Sequence, residues 1–458
     1  MIRIPFSLGV VHFVGIGGIG MSGIAEVMHG LGYSVRGSDI VESANVLRLR
    51  KLGIQVLLGQ RVENIENVGV VVVSTDIPKT NPEYQEALRL GIPLIKRAQM
   101  LGELMRWKYG IGVTGTHGKT TTTSMIATLL DVARFEPTVV NGGIINSYGT
   151  NARLGDGEWM VVEADESDGS FVHLPCVLSI VTNIDLEHMA HYKTPENLMN
   201  AFEQFLEQLP FWGTAIVYAD QPRTRELISR VKSTNICTYG LEEGVDIRGL
   251  NIEIGASGAR FDVEIKGKKL IEGLFLPMVG IHNVQNALAV VAVAQYLKIP
   301  DIVLKQSLAA FAGVKRRFTN VGTFQKATVI DDYAHHPVEI SAVLKAARTV
   351  SKRKVIAVFQ PHRYSRFQDL YADFKSCFKD ADELFITPVY SAGEEPIPGI
   401  SHDIFSLDVD HPNAKSVNNL QEITSILENQ LNEDDLVVFL GAGSITHWAK
   451  EFGELKPE

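Results

Sequence analysis

The feature that most constrains the fold of this chain is a pair of glycine-rich loops, each set between an apolar strand and a helix. The first loop reads GIGGIG at residues 15–20, and the second reads TGTHGKTT at 114–121. A glycine loop at a strand-to-helix turn lets backbone N–H groups and the positive end of the helix approach phosphate oxygens. A simple dehydrogenase needs one nucleotide, so two such loops predict a nucleoside triphosphate and a second phosphorylated substrate.

The first loop fits the GxGxxG pattern, and its candidate diphosphate-binding residues are Gly15, Gly17, Gly18 and Gly20. Asp39 ends the next predicted strand, 24 residues after Gly15, and an acidic residue at about that distance belongs to the same pattern. These residues by themselves leave two ligands open, a dinucleotide or a UDP-type diphosphate.

The second loop contains GK[ST] without the standard Walker spacing, because the residue five before Gly118 is Val113. The chemistry is nevertheless that of a P-loop, in which backbone amides surround the phosphates. Lys119 is expected to meet the β and γ oxygens, and Thr120 is positioned for Mg²⁺.

Short β-rich runs alternate with helical patterns along all 458 residues, which is typical of βαβ units and parallel sheets. At roughly 100 to 200 residues per domain, the length indicates about three domains. New strand patterns begin at 109 and after the basic stretch 314–319, so the predicted domains are 1–108, 109–314 and 315–458. An alternating segment at 245–277 predicts a small antiparallel hairpin beside the central sheet.

Polar clusters follow several of the predicted strands. Two of them, EADESD at 163–168 and TNIDLEH at 182–188, come from the central domain. Carboxylates at the ends of parallel strands lie where open α/β sheets bind ligands, so they are candidates for holding the metal of the P-loop. In the last domain, Arg363 and Arg366 of FQPHRYSR could present two guanidinium groups to a carboxylate.

The composition excludes several other classes of protein. The 43 basic and 53 acidic residues give a net charge of −10, which disfavours nucleic-acid binding. Cys176, Cys237 and Cys377 form no CxxC pair, so three reduced thiols are expected. We find no secretion signal and no apolar run near the roughly 18 residues of a membrane span. A cytoplasmic protein without membrane insertion is expected.

Six motifs in order, TGTHGKTTT, EADESD, TNIDLEH, GIHNVQN, DDYAHHP and FQPHRYSR, resemble those of the Mur ligase family. The resemblance implies an N-terminal Rossmann-like domain for a UDP sugar, a central ATPase domain and a C-terminal Rossmann-like domain for an amino acid. The opening segment VHFVGIGGIGMSGIAE and FQPHRYSR are most similar to members that join L-alanine to UDP-N-acetylmuramate through an acyl phosphate, in peptidoglycan precursor synthesis. ATP and Mg²⁺ are the implied cofactors.

The resemblance also implies roles for single residues. It implies that Lys119, His188 and His335 are catalytic residues. It assigns the ATP contacts to Gly115, Thr116, His117, Gly118, Lys119, Thr120, Thr121, Asn283, Asn286, Arg317 and Asp332. It assigns the UDP sugar to the first glycine loop with Asp39, and the amino acid to His335, Arg363 and Arg366. Thr120 and Glu163 would hold a first Mg²⁺ and His188 a second.

Two departures from the family pattern and several alternatives stay open. No lysine occurs at 194–209, where several family members carry a carbamylated one, so the second metal must be held otherwise. Ala334 precedes the HH pair, where glycine is frequent. A ligase that attaches a ready-made peptide to the same UDP sugar, an NAD-dependent dehydrogenase and a non-catalytic nucleotide-binding module are the competing hypotheses. A monomer or homodimer is expected.

Overall fold

The computed structural model describes residues 8–428 and 430–455, and these residues form three sheets with helices packed against them. The first seven residues of the predicted N-terminal domain and the last three of the C-terminal domain lie outside the described residues. By packing, the second of two compact units comprises Asn251–Phe261, Phe275–Val284 and the chain from Val314 onward. The first unit comprises the remaining described residues.

The N-terminal sheet has five parallel strands in the order β3-β2-β1-β4-β5. Its strands are β1 Val10–Val14, β2 Val35–Asp39, β3 Gln55–Leu58, β4 Val68–Val73 and β5 Leu94–Lys96. Its helices are α1 Ile19–Gly30, α2 Ala44–Lys51, α3 Pro82–Leu90 and α4 Arg97–Met105. The strand order reverses at β1, which is where open α/β sheets form a ligand crevice. The first glycine loop follows this strand.

The central sheet has ten strands in the order β15-β14-β13-β12-β11-β10-β6-β9-β7-β8. Its strands are β6 Tyr109–Thr114, β7 Thr138–Ile145, β8 Thr150–Arg153, β9 Trp159–Glu163, β10 Cys176–Val181, β11 Thr214–Tyr218, β12 Asn235–Gly240, β13 Ile247–Gly255, β14 Gly258–Ile265 and β15 Lys269–Leu276. Its helices are α5 Lys119–Val132, α6 Met189–Tyr192, α7 Pro195–Glu207, α8 Pro222–Arg230, α9 Ile281–Tyr296 and α10 Asp301–Ala309.

Strand pairing in the central sheet explains how its loops meet. β6 pairs in parallel with β10 on one side and with β9 on the other. The carboxyl ends of parallel strands share one edge of a sheet, so the P-loop lies between the two polar loops that follow β9 and β10. The predicted hairpin at 245–277 is a run of three strands, β13 to β15, because a further short turn precedes Lys269.

The C-terminal sheet has six strands in the order β16-β17-β21-β18-β19-β20, and only its edge pair β16–β17 is antiparallel among the described pairs. Its strands are β16 Thr319–Phe324, β17 Ala327–Asp332, β18 Val355–Phe359, β19 Glu383–Ile386, β20 Ala414–Ser416 and β21 Leu436–Leu440. Its helices are α11 Pro337–Val350, α12 Tyr364–Asp369, α13 Tyr371–Ser376, α14 His402–Asp408, α15 Leu420–Leu427 and α16 Ile445–Glu454.

The architecture confirms the predicted three-domain α/β class, and two details differ from the sequence pattern. The sequence after β18 predicts one continuous helix to Phe378. The structure has two short helices there, because Leu370 leaves helical backbone geometry between them (φ −107°, ψ 16°). The sequence pattern of α9 predicts one buried apolar face, formed by Ala287, Leu288, Val291 and Ala294. The structure buries every residue of 287–294, as expected for a helix that is apolar all round. Among the described helices, none is long and apolar enough to cross a membrane.

Candidate active site

The P-loop between β6 and α5 is held by the end of the neighbouring strand β10. The amide of Thr116 donates to the Asn183 carbonyl at 3.1 Å, and the amide of His117 donates to the Asn183 side chain at 2.8 Å. Gly115 has φ +123°, and a Cβ there would lie 2.2 Å from Thr182 Oγ1. Glycine is therefore required at this position for both backbone geometry and space.

Lys119 is the first residue of α5, and only 14% of its side chain is exposed. Nζ donates to the Gly115 carbonyl at 2.6 Å, to the Thr116 carbonyl at 2.9 Å and to Glu166 Oε1 at 3.0 Å. Burial acts to lower the pKa of Lys119, but the carboxylates of Glu166 and Asp165 outweigh it and raise that pKa. The site thus maintains a positive charge at the position expected for the β and γ phosphates.

Glu166 contacts Lys119 and is also one of three residues that could hold a metal ion. Glu166, Glu187 and His188 each offer one ligand atom, and these atoms all lie within 4.8 Å of one another. His188 Nε2 is 3.6 Å from Glu166 Oε1 and 3.7 Å from Glu187 Oε2. Burial raises the pKa of Glu166 to about 7, although Lys119 acts to lower it. Two carboxylates supply the hard oxygen atoms that Mg²⁺ prefers, so the donor set fits a divalent cation.

Two other predicted metal ligands lie around the same loops. Thr120 is buried in the first turn of α5. Glu163 ends β9, and its Oε2 accepts a hydrogen bond from the Gly142 amide at 2.9 Å. A Cβ on Gly142 would lie 2.5 Å from Glu163 Oε1, so this glycine lets the carboxylate approach the backbone. The roles of Thr120 and Glu163 as ligands of a first Mg²⁺ stay a prediction.

The predicted adenine-contacting asparagines are both near the start of α9. Asn286 is buried, and its Oδ1 would lie 2.7 Å from a Cβ on Gly118, which places it directly against the P-loop. Asn283 is also buried, and its side-chain nitrogen donates to the Val279 carbonyl at 2.8 Å. Thr121 is buried in the first turn of α5.

In the first glycine loop, the amides are engaged within the N-terminal domain. The amides of Gly15 and Ile16 donate to the Ser38 carbonyl at 2.9 and 3.0 Å. The amide of Gly18 donates to the Gly15 carbonyl at 3.1 Å. The amide of Gly17 donates to Asp39 Oδ2 at 2.8 Å. Asp39 therefore fixes the shape of the loop, and its role in binding the UDP sugar stays a prediction.

In the C-terminal domain, a second polar cluster forms where β17 and β18 end. The rings of His335 and His362 lie 5.9 Å apart, and His362 stacks on Tyr390 at 5.4 Å. Burial and the charges of His335 and Arg366 lower the pKa of His362 to about 3. Its neutral Nδ1 accepts a hydrogen bond from Arg366 Nη1 at 3.2 Å. Arg363 lies next to this group and is exposed.

Arg317 and Asp332 lie in the same domain and contact different groups. The Arg317 guanidinium lies 5.4 Å from the centre of the Tyr333 ring. Asp332 is buried, and its oxygens accept hydrogen bonds from the amides of Phe318 at 2.7 Å and Ala334 at 2.8 Å. Burial raises the pKa of Asp332 to about 6, against the effect of Arg317. The carboxyl of Asp332 thus anchors two backbone segments.

Sequence reasoning did not single out Glu166, Glu187, His362 or Tyr390 as site residues. The first three belong to motifs already noted, but the spacing within those motifs does not say which side chain faces the site. Tyr390 follows His362 by 28 residues and no local pattern joins them. The isolated bridge between their backbones brings the two rings together.

Comparisons with known proteins agree with this geometry. The described sheets correspond to three family models: "Mur ligase family, catalytic domain" at residues 10–109, "Mur ligase middle domain" at 113–294 and "Mur ligase, glutamate ligase domain" at 316–443. A UDP-N-acetylmuramate–L-alanine ligase of Mesorhizobium japonicum is 51% identical over 455 residues, which is 98% of each chain.

Two solved structures extend the comparison. The UDP-N-acetylmuramate-alanine ligase MurC of Thermotoga maritima has a TM-score of 0.83 and 30% identity, over 97% of this chain and 98% of that one. A murein peptide ligase of Psychrobacter arcticus has a TM-score of 0.73 and 23% identity, over 98% and 99% of the two chains, and at that identity it supports the fold alone. On the three matched domains and the close relative, the chain belongs to the Mur ligase family.

Proposed function

We propose that this protein joins L-alanine to the lactyl carboxylate of UDP-N-acetylmuramate at the expense of ATP, giving UDP-N-acetylmuramoyl-L-alanine, ADP and phosphate. The reaction would take place in the cytoplasm, where ATP is made. The observation that carries this proposal is the Lys119 ammonium on a P-loop, paired with Glu166. The carboxylate of Glu166 also lies with Glu187 and His188 in a group that could hold a metal ion. A dehydrogenase has no use for such an arrangement, and a passive nucleotide-binding module needs no metal site beside it.

The first step needs a phosphoryl group to move from ATP to a carboxylate oxygen. The carboxylate oxygen forms a bond to the γ-phosphorus, and the bond to the ADP oxygen breaks. Lys119 would exchange one of its backbone acceptors for a phosphate oxygen and stabilise the charge that develops during transfer. Glu166, Glu187 and His188 would hold a magnesium ion, and Glu187 would supply a carboxylate in place of the missing carbamylated lysine. When bound, Mg²⁺ neutralises charge on the phosphate oxygens.

The second step needs a deprotonated amine. The amine nitrogen of L-alanine attacks the acyl carbon, and phosphate leaves as the C–O bond breaks. His335 Nδ1 lies 3.0 Å from the Tyr333 carbonyl. A carbonyl only accepts, so Nδ1 carries the proton and the basic nitrogen is Nε2. His335 is our candidate for the group that takes the amine proton, and Arg363 and Arg366 would bind the carboxylate of the amino acid.

Phosphate release from purified protein with ATP, Mg²⁺ and UDP-N-acetylmuramate tests the proposal directly. We expect release that depends on L-alanine, and parallel reactions with glycine and L-serine measure the selectivity. A matched reaction with the tripeptide L-alanyl-γ-D-glutamyl-meso-diaminopimelate distinguishes the peptide-attaching ligase. Phosphate release with the tripeptide and none with L-alanine would identify the protein as the peptide-attaching ligase. NADH turnover without ATP use would contradict both ligase hypotheses.

The amino-acid site gives a second test through Arg366→Ala. Losing a guanidinium that binds a carboxylate should raise the KM for L-alanine by roughly 10- to 100-fold, on the usual strength of a charge-assisted pair. The KM for ATP should not change, since the P-loop is intact. Initial-rate measurements with varied L-alanine check this, with Lys379→Ala, an exposed substitution in the same domain, as control. Equal KM values in both variants would contradict the role of Arg366.

A further inference from the structure

Arg97 is the first residue of α4, and its side chain lies against the first glycine loop. A Cβ on Gly20 would lie 3.0 Å from Arg97 Nη1 and 3.2 Å from its Cδ. Gly20 is the last glycine of GIGGIG, so the absence of a side chain there lets the guanidinium reach the start of α1. The N-terminal end of a helix attracts anions, and Arg97 adds a full positive charge beside it.

The other side of the same guanidinium reaches the central domain. Arg97 Nη2 lies 3.3 Å from Oδ2 of Asp165, in the loop after β9. The carboxylate of Asp165 also interacts electrostatically with Lys119. The Arg97 side chain is about one-fifth exposed. Arg97 therefore lies between the loop assigned to the UDP sugar and the loop after β9, whose Glu166 accepts a hydrogen bond from Lys119, and solvent can reach it.

The hydrogen bonding of the glycine loop gives an independent reason to look for another cation there. The amides of residues 15–18 donate to the Ser38 carbonyl, the Asp39 carboxylate and the Gly15 carbonyl. An oxyanion at this loop must therefore be bound mainly by amides further along and by nearby side chains. A guanidinium can bind phosphate or carboxylate oxygens with two parallel hydrogen bonds.

We propose that Arg97 binds an oxyanion of UDP-N-acetylmuramate, exchanging its contact with Asp165 for one with the ligand. This inference rests on the proposed function. The oxyanion is either the diphosphate, which belongs at the start of α1, or the lactyl carboxylate, which must approach the γ-phosphate near Lys119. Both present the same chemistry to a guanidinium. Arg97 is then a substrate-binding residue that helps to place the reacting carboxylate.

Binding measurements on the full chain test this proposal. Calorimetry would compare UDP-N-acetylmuramate with UDP-N-acetylglucosamine, which has the diphosphate and no lactyl carboxylate. We expect Arg97→Ala to weaken UDP-N-acetylmuramate binding by roughly 10- to 100-fold. Arg97→Lys should recover only part of the lost affinity, because an ammonium cannot form the two parallel hydrogen bonds of a guanidinium. The affinity for a non-hydrolysable ATP analogue should not change.

The outcomes separate the two oxyanions. Weaker binding of both sugars assigns Arg97 to the diphosphate, and weaker binding of the muramate alone assigns it to the carboxylate. Asp165→Asn breaks the same ion pair and keeps Arg97, so it should retain the affinity for the UDP sugar. Arg106→Ala, an exposed change in the turn that follows α4, is the neutral control.

Two results would overturn the inference. One is wild-type affinity in Arg97→Ala, and the other is an equal loss in Asp165→Asn, which would make Arg97 only an ion-pair partner. If the wild-type protein failed to bind UDP-N-acetylmuramate at all, the proposed function would fail instead.

Discussion

Replacing Lys119 by alanine is expected to reduce L-alanine-dependent phosphate release on the order of 1,000-fold. The mostly buried ammonium donates to the Gly115 and Thr116 carbonyls of the P-loop, where we propose that phosphate oxygens bind. Released phosphate, measured at saturating ATP and UDP-N-acetylmuramate, gives the comparison. A variant that keeps a tenth of the wild-type rate would contradict the role of Lys119.

The same substitution leaves the Glu166 carboxylate without its ion-pair partner, and only 2% of that side chain is exposed. Lower stability could then imitate a catalytic loss. The double variant Lys119→Ala/Glu166→Gln removes the uncompensated acid, so we expect its melting temperature to return towards the wild-type value. Its activity should stay low. Recovery of activity along with stability would mean that Lys119 serves only to neutralise Glu166.

Replacing Gly115 by alanine is expected to abolish detectable ATP binding. The new methyl group would lie 2.2 Å from Thr182 Oγ1 and 2.8 Å from the Asn183 carbonyl, and φ of +123° is unfavourable for any side chain. Backbone strain of this kind costs about 1 to 3 kcal/mol, and the loop must move away from β10 to relieve the contact. Calorimetry with an ATP analogue and thermal denaturation measure the two effects.

Gly149→Ala is the matched control for this change. Gly149 also has a positive φ, of +67°, but a Cβ there has nothing within 4 Å. This variant should lose about 1 to 2 kcal/mol of folding free energy, the usual cost of left-handed backbone for an L-residue, and should bind the ATP analogue normally. If both glycine variants lost ATP binding equally, the fault would lie in backbone strain and not in the contact with β10.

The strands, the glycine loops and the three-domain α/β class could be predicted because each has a local signature. The apolar runs WMVVE at 159–163 and LVVFL at 436–440 each predict a strand, and the structure has strands with these bounds. The P-loop was identifiable since its glycines, lysine and threonines are contiguous. Helix α9 could also be predicted from its sequence, although the pattern indicated one buried face and the structure buries the helix on all sides at 287–294.

The details of the site depend on contacts between distant segments, which local patterns do not contain. EADESD offers four acidic residues in six positions, and the turn after β9 decides that Glu166 faces Lys119 while Glu163 bonds to Gly142. Arg97 begins a helix that carries no functional motif, and only the packing of that helix on α1 places it beside Gly20. The break at Leu370 likewise depends on tertiary packing, since its sequence reads as continuous helix.

The way β10 supports the P-loop has a consequence for the order in which the protein becomes competent. Thr182 and Asn183 shape the loop at 114–118, yet more than sixty residues separate the two segments. Bringing two segments this far apart in sequence together costs conformational entropy, and that cost comes before the contacts between them stabilise the loop. A growing polypeptide that ends before residue 183 therefore has the complete P-loop sequence but should not bind ATP. During synthesis, nucleotide binding should appear only after β10 has left the ribosome and paired with β6.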